Sequence, residues 1–457
     1  MGNTWEGEIM EIENYKLTEG SVLKNIMFLS LPMMVTLFLQ DAFNLVDMYF
    51  VGKLGASAIA SVSMSGIIIG IIMTAVMGLS FGTVALVSRY VGEGNIDKAD
   101  GVVMQSFILG LLITLIITPL GYIFAPQMLE LLGASKDVVM QGTAYLRITF
   151  GGSITIFLTV LMFSALRGAG DPISPMIILL ISTILNIILD PIMIYGLFGF
   201  PRLEVAGSAL ATIISRAVAL IMILFVMMRE KSIVKLRARD FRFDFDIMKK
   251  IVKIGNPSLL EFLIINLSAL FLMWVVASYG TTAIAAYGIG MRLNMAVTIP
   301  TMGFGFAAAT LVGQNLGAHK PERAEKSGWM SAGIGVIIMI VLTIIFLALS
   351  SDIVSVFNDE IEVVEIGTQF IRIMAPTFVF LGLGTTLGRG LNGAGDTIHT
   401  MLISVITMLV LRVPLAWYAS TWIGINGVWI TLALTNVIYG IIMAIWFKIG
   451  KWKEKEI

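Results

Sequence analysis

Apolar residues fill this chain in successive blocks, each ending at a short break that carries glycine, proline or charge. A hydrocarbon core about 30 Å thick needs about 20 such residues of helix to cross it. The blocks fall at 24–50, 57–88, 101–125, 138–165, 173–198, 205–228, 248–278, 283–315, 328–350, 361–387, 398–418 and 425–448. They predict an all-α polytopic membrane protein with about twelve transmembrane helices. The short alternating segments of a transmembrane barrel are absent from the pattern.

The pattern also repeats. Pro32 of LSLP and Pro257 of IGNP are 257 − 32 = 225 residues apart. At that offset GASAIA (55–60) matches GTTAIA (280–285), and GLSFGTVALVSRYVGEGNIDKAD (78–100) matches GFGFAAATLVGQNLGAHKPERAE (303–325). LRGAGDPISPM (166–176) likewise matches LNGAGDTIHTM (391–401). One offset holding through separate segments predicts two six-helix lobes in the same orientation, related by a pseudo-twofold axis along the membrane normal. Parallel repeats of this kind are typical of secondary transporters, with the substrate path between the halves. The expected divisions are a tail (1–22), a first lobe (23–228), a basic linker (229–247), a second lobe (248–450) and a second tail (451–457).

Charge orients the helices. The longest polar stretch, REKSIVKLRARDFRFDFDIMKK (229–250), is dense in Lys and Arg and is expected on the cytoplasmic side. An even number of spans on either side then puts both termini there too. SDIVSVFNDEIEVVE, on the opposite side, is acidic. The polar, acidic start MGNTWEGEIMEIENYKLTEGS reads as a cytoplasmic tail and not as a cleavable signal.

Composition removes several chemistries. Of 457 residues, 57% are hydrophobic and 13% charged, with a mean hydropathy of +0.93 and zero net charge, so nothing suggests a nucleic-acid partner. The absence of cysteine excludes disulfides, thiolate metal sites and thiol catalysis. His319 and His399 both fall in predicted loops, which argues against a histidine metal site. The twin LxGAGD segments invite a phosphate-loop reading, but no lysine-serine pair follows and no strand precedes. They are better read as tight cytoplasmic turns in which Asp171 or Asp396 caps the next helix. The 29 methionines and 26 phenylalanines can line an adaptable cavity, although most will serve ordinary packing and lipid contact.

Polar residues inside the spans carry the candidate chemistry. In TLFLQDAFNLVDMYFVGKLG (36–55), Thr36, Gln40, Asn44 and Asp47 are spaced 4, 4 and 3 apart and form one stripe, with Asp41 beside Asn44. The stripe is expected to be buried in the first half or to line its cavity, because a carboxylate in lipid is expensive. In NIILDPIMIYG, Asn186 and Asp190 share a helix face directly before Pro191, which loosens the backbone ladder. Aspartates from two helices can share a proton or hold a monovalent cation such as Na⁺. The competing reading pairs an aspartate with Arg147 or Arg216 as fixed interior glue. The matching places in the second half have no acids: the offset takes Asp47 to Leu272 and Asp41 to Asn266. Glu261, four residues after Pro257, is the acidic side chain deep in the second half. It can bind a cationic substrate or a second ion, or pair with Arg292 or Arg412; Arg372 is also expected to pair internally. Pro32 is a candidate hinge in the first helix.

These segments resemble the multidrug and toxic compound extrusion (MATE) transporters, within the superfamily that includes lipid-linked precursor flippases. The resemblance spans essentially the whole chain. It rests on LSLPMM and NLVDMYFVGKLG, on LRGAGDP with LNIILDPIMIYG, and on GNPSLLE and LNGAGD. The pattern is most similar to the DinF-like branch, especially its archaeal members, whose ion site lies in the N-terminal lobe. That likeness implies an ion site at Asp47, Asn186, Asp190 and Thr212, with Tyr145 nearby, and no cofactor beyond a coupling H⁺ or Na⁺. It implies antiport by a monomer in the plasma membrane, exporting amphipathic, often cationic, small molecules by alternating access. Glu261 lies about one helical turn from the cation-binding glutamate of the NorM-type branch, without a second-half aspartate partner. The rival readings are a lipid-linked precursor flippase, which needs a larger and more basic cavity, and a membrane-embedded enzyme, which needs a nucleophile-base pair or metal ligands in the spans.

Overall fold

The computed structural model describes residues 16–230, 232–237 and 241–457, the side chain of Met295 apart. Residues 1–15 of the expected N-terminal tail, and 231 and 238–240 of the expected linker, lie outside the described residues. The first half forms α1 (Val22–Gly52), α2 (Ala56–Gly92), α3 (Ile96–Leu131), α4 (Lys136–Gly151), α5 (Ser153–Ala169), α6 (Ile173–Tyr195) and α7 (Val205–Met228). The second forms α8 (Phe245–Ala277), α9 (Thr281–Gly317), α10 (Pro321–Ala348), α11 (Ser350–Ser355), α12 (Ile361–Met374) and α13 (Phe378–Gly393). It continues through α14 (Thr397–Ser404), a π-helical segment Val405–Leu411, α15 (Arg412–Ile423) and α16 (Ile425–Ile449). Among the described residues eleven spans are long and apolar enough to cross a membrane, and α4 with α5 makes a twelfth when the bent pair counts as one.

That pair bends by 52° at Gly151-Gly152, which the hydropathy pattern did not anticipate. The corresponding span of the second half is also interrupted, by a tight turn at Ala375–Thr377 containing Pro376. Paired glycines and a proline are two different causes of a helix break, and here they occur at matching positions. The repeat is written in the backbone as well. Gly55 and Gly280, Gly94 and His319, and Gly170 and Gly395 all have positive φ, each pair separated by the offset already seen in the sequence. His319 holds at φ 56° a conformation that its counterpart Gly94 adopts without a Cβ clash.

The chain divides into two compact units, and the division does not fall between helices. One unit contains Val35–Gly255; the other contains Leu17–Met34 and Asn256–Ile457. The first turns of α1 and of α8 therefore belong to a different unit from the rest of each helix, and the change comes within three residues of Pro32 and Pro257. Close packing explains the start of α8. A Cβ on Gly255 would stand 2.7 Å from the Gly78 carbonyl oxygen, so only glycine lets these backbones meet. The start of α1 is held in the second unit by Arg323, which donates to the carbonyls of Glu19 and Gly20 at 2.6 and 3.0 Å, and by Lys320, which donates to that of Thr18.

In the first unit the linker is clamped to α3: Asp100 accepts from the Lys235 N–H at 2.6 Å, and Gln105 bonds both Arg242 and Asp244. Val51, Tyr145, Ile194, Val205 and Ala209 make one of its cores. In the second unit Tyr287, Phe370 and Trp429 stack and abut edge-on within a larger apolar core. Leu115, Ile221 and Trp274 are largely exposed, apolar surface of the kind that hydrocarbon can cover.

Candidate functional site

Four elements of the first unit converge on one group of polar side chains. After α6 the chain reverses: the Leu203 and Glu204 N–H groups donate to the carbonyls of Met193 and Ile194 at 3.0 and 3.1 Å. This lays α7 along α6 so closely that a Cβ on Gly207 would be 2.5 Å from the Met193 carbonyl oxygen. The Tyr195 hydroxyl donates to the Phe50 carbonyl at 2.7 Å and ties α6 to α1. Helix register then does the rest, since Asn186 and Asp190 are one turn apart and both are 0% exposed.

Thr212 Oγ1 donates to Asp47 Oδ2 at 3.0 Å. Asn186 Nδ2 donates to Asp190 Oδ1 at 3.3 Å and its amide also reaches Asp47. The Asp47 and Asp190 carboxyl groups touch at hydrogen-bonding distance. Asp47 Oδ1, Asp190 Oδ2 and Asn186 Oδ1 are buried and meet no donor among the described residues. Tyr145 on α4 is 9% exposed and within electrostatic range of both aspartates. Two carboxyl groups this close cannot both be ionised without compensation, so the arrangement is chemically suited to accept a proton or a small cation.

The rest of the stripe behaves differently. Thr36 is buried, Gln40 and Asp41 are half-buried, and Asn44 is exposed, so burial holds at the ends of the stripe and not along its length. Of the two arginines offered as fixed partners, Arg216 feels the charge of Asp47, with its guanidinium 4.7 Å over the Phe43 ring. Arg147 turns instead to the Tyr122 carbonyl at 3.2 Å.

In the second unit the sequence left the partner of Glu261 open between Arg292 and Arg412; the structure pairs it with Arg389, Nη2 to Oε1 at 3.5 Å. Both members are buried, at 2% and 5% exposed. Arg292 is exposed, and Arg412 donates to Thr435 Oγ1 at 2.8 Å and Asn436 Oδ1 at 2.7 Å. The expected internal pairing of Arg372 is likewise replaced by an exposed side chain that donates to Ser350 Oγ. Arg389 lies inside GRGLNGAG, so its presence was visible, but spacing alone could not bring α13 against α8.

The twin turns also part company. Asp171 Oδ1 accepts from the N–H groups of Ile173 and Ser174 at 3.1 and 3.0 Å, the expected cap. Asp396 accepts instead from Lys455 at 2.9 Å and Trp446 at 3.0 Å, and it bonds His399 at 2.6 Å. His399 is therefore not in a loop but in the first turn of α14, stacked on Trp446.

Comparison with known proteins adds to this geometry. The MatE family model matches residues 32–192 and again 257–418, so its two copies begin at the two prolines that define the repeat. The chain is 27% identical to "Probable multidrug resistance protein YoeA" of Bacillus subtilis, over 97% of this chain and 96% of that protein. It is 28% identical to an "FAD transporter" of Shewanella oneidensis, over 92% of this chain and 93% of that one. Among solved structures it is similar to an outward-facing "multidrug resistance MATE family transporter of the MOP superfamily", with TM-score 0.88 and 26% identity over 96% of this chain and 98% of that chain.

Proposed function

The chain belongs to the MatE family; it is a secondary active efflux transporter working by alternating access and not an enzyme, and from that premise we propose that Asp47 and Asp190 are its coupling site. H⁺ or Na⁺ binds between the two carboxyl groups, with Asn186 and Thr212 fixing their orientation and Tyr145 closing the site. The load is a small amphipathic compound, cationic ones among them. We assign the chain to the archaeal-type DinF-like branch, as a monomer in the plasma membrane with both termini cytoplasmic. The basic linker and the acidic opposite loop support that orientation.

The observation that carries the assignment is the contact between two buried carboxyl groups from α1 and α6 that share too few donors for two negative charges. Binding a cation there favours the access state in which the site is closed around it. The difference in ion affinity between the two states supplies the coupling free energy. Pro32, near the point where α1 changes unit, removes a backbone donor and lets the helix bend as the site fills.

Reconstitution into liposomes with separately imposed pH and Na⁺ gradients, following a cationic dye, tests this. Gradient-driven efflux by wild type and none by Asp47→Asn, at equal membrane insertion, is the expected result. Full gradient-driven efflux by Asp47→Asn would overturn the assignment.

A further inference from the structure

The second unit contains a partly open cavity of about 260 Å³ whose charged wall residues are Glu261, Arg389 and Arg412. Glu261 and Arg389 face each other at 3.5 Å and neutralise one another. Among the described residues Arg412 has no such partner: its hydrogen bonds run to the neutral oxygens of Thr435 and Asn436. A guanidinium stays protonated and has five N–H donors, of which these bonds use two. Asn436 is itself fixed, because its Nδ2 donates to Thr377 Oγ1 at 3.4 Å. The cavity wall therefore carries a formal charge of one positive unit, from Arg412.

The π-helical segment just before Arg412 changes the helical register there, and such segments often mark functional positions. Elsewhere the lining is mostly apolar and deformable, with Asn294, Thr298, Thr301 and Thr385 among its uncharged polar members. Met291, Met302, Met374 and Met408 lie on it, beside Tyr287 and Phe370 of the aromatic core. Thioethers and aromatic faces accept varied apolar shapes, whereas a charged fork in a low-dielectric wall discriminates by sign.

We propose that this cavity binds amphipathic anions, seating one carboxylate or phosphate on Arg412 and the apolar body against the methionines and aromatic rings. The Glu261–Arg389 pair sets the sign: it holds the acidic side chain in an ion pair and leaves Arg412 to the ligand. The inference deepens the transport reading, on which the role of the cavity as a load site rests. It widens the load beyond cationic compounds.

Equilibrium binding to the purified full-length protein in detergent tests it without any gradient, so the coupling assignment and this one fail separately. The probes are 1-naphthylacetate, 1-naphthyl phosphate and (1-naphthylmethyl)trimethylammonium, which share one apolar body. The anions should bind about tenfold more tightly than the cation. Arg412→Gln should weaken the anions about tenfold and spare the cation, while Arg412→Lys, keeping the charge, should retain most of the affinity. Glu261→Gln, which releases Arg389, should tighten the anions. Tighter binding of the cation by wild type, or anion binding unchanged in Arg412→Gln, would overturn the proposal. Competition by dihexanoylphosphatidylglycerol separates the sources of such an anion: displacement of naphthylacetate supports a lipid headgroup, and its absence supports a soluble acid.

Discussion

Leu166–Asp171 and Leu391–Asp396 close their turns in the same way. In each, the glycine before the aspartate has positive φ, and the aspartate N–H donates to the leucine carbonyl at 2.9 Å. Only the side chains differ. Burial raises the Asp171 carboxyl above its ordinary 3.8, and the Ser174 hydroxyl with the backbone donors of Ser174 and Ile173 offsets this only in part. Burial pushes Asp396 upward too, but His399, Lys455 and Trp446 outweigh it and hold the group below 3.8. A duplicated backbone thus carries an ordinary cap in one half and an anchor for the last residues of the chain in the other. The interiors diverge in the same manner: the first unit buries two acids with too few donors, and the second buries a matched Glu261–Arg389 pair beside a cationic cavity wall. Backbone geometry survives duplication because it sets the packing, whereas the charges inside each unit are free to specialise.

The largest test of that divergence compares Asp190→Asn with Glu261→Gln in liposomes. Asp190→Asn should reduce gradient-driven efflux of a cationic dye to background, while Glu261→Gln should remain gradient-dependent. The reverse outcome would move the coupling site to the second unit.

A smaller effect should appear in stability. Arg389→Met leaves Glu261 buried without its cation and should cost about 3–5 kcal/mol, read as a lowered unfolding midpoint in detergent. Replacing both members by methionine should recover most of the loss, because no unpaired charge remains. If the single and double variants were equally unstable, the pair would matter for shape and not for charge.

The smallest effect separates the twin turns by pH. Asp396, with its lowered value, contributes stability above the ordinary carboxylate value that is lost as pH falls through its folded value. Asp171, with its raised value, has the opposite sign: its contribution is present below the ordinary value and is lost as pH rises through the folded one. Between about pH 6 and pH 3.5, acidification should therefore shrink the stability gap between wild type and Asp396→Asn. Over the same range wild type should gain on Asp171→Asn. Parallel shifts for both variants in thermal unfolding would contradict the contrast.

The sequence by itself determined the helices, their twofold repetition and the acids of the first half. Hydrophobic run length is a local property tied to membrane thickness, and a single offset through matched segments needs no coordinates to be seen. Asp47 and Asp190 stood out for the same reason, as charges in places where lipid makes charge costly. Tertiary structure decided what meets what. That Thr212 donates to Asp47, that Arg389 rather than Arg292 or Arg412 answers Glu261, and that Lys455 reaches Asp396 are contacts across 165, 128 and 59 residues of chain. Periodicity places a side chain on a face of its own helix but is silent about which helix packs against it. It was equally silent about where α1 and α8 change unit, because that depends on glycine contacts such as Gly255 on Gly78, which exist only once the backbones are packed.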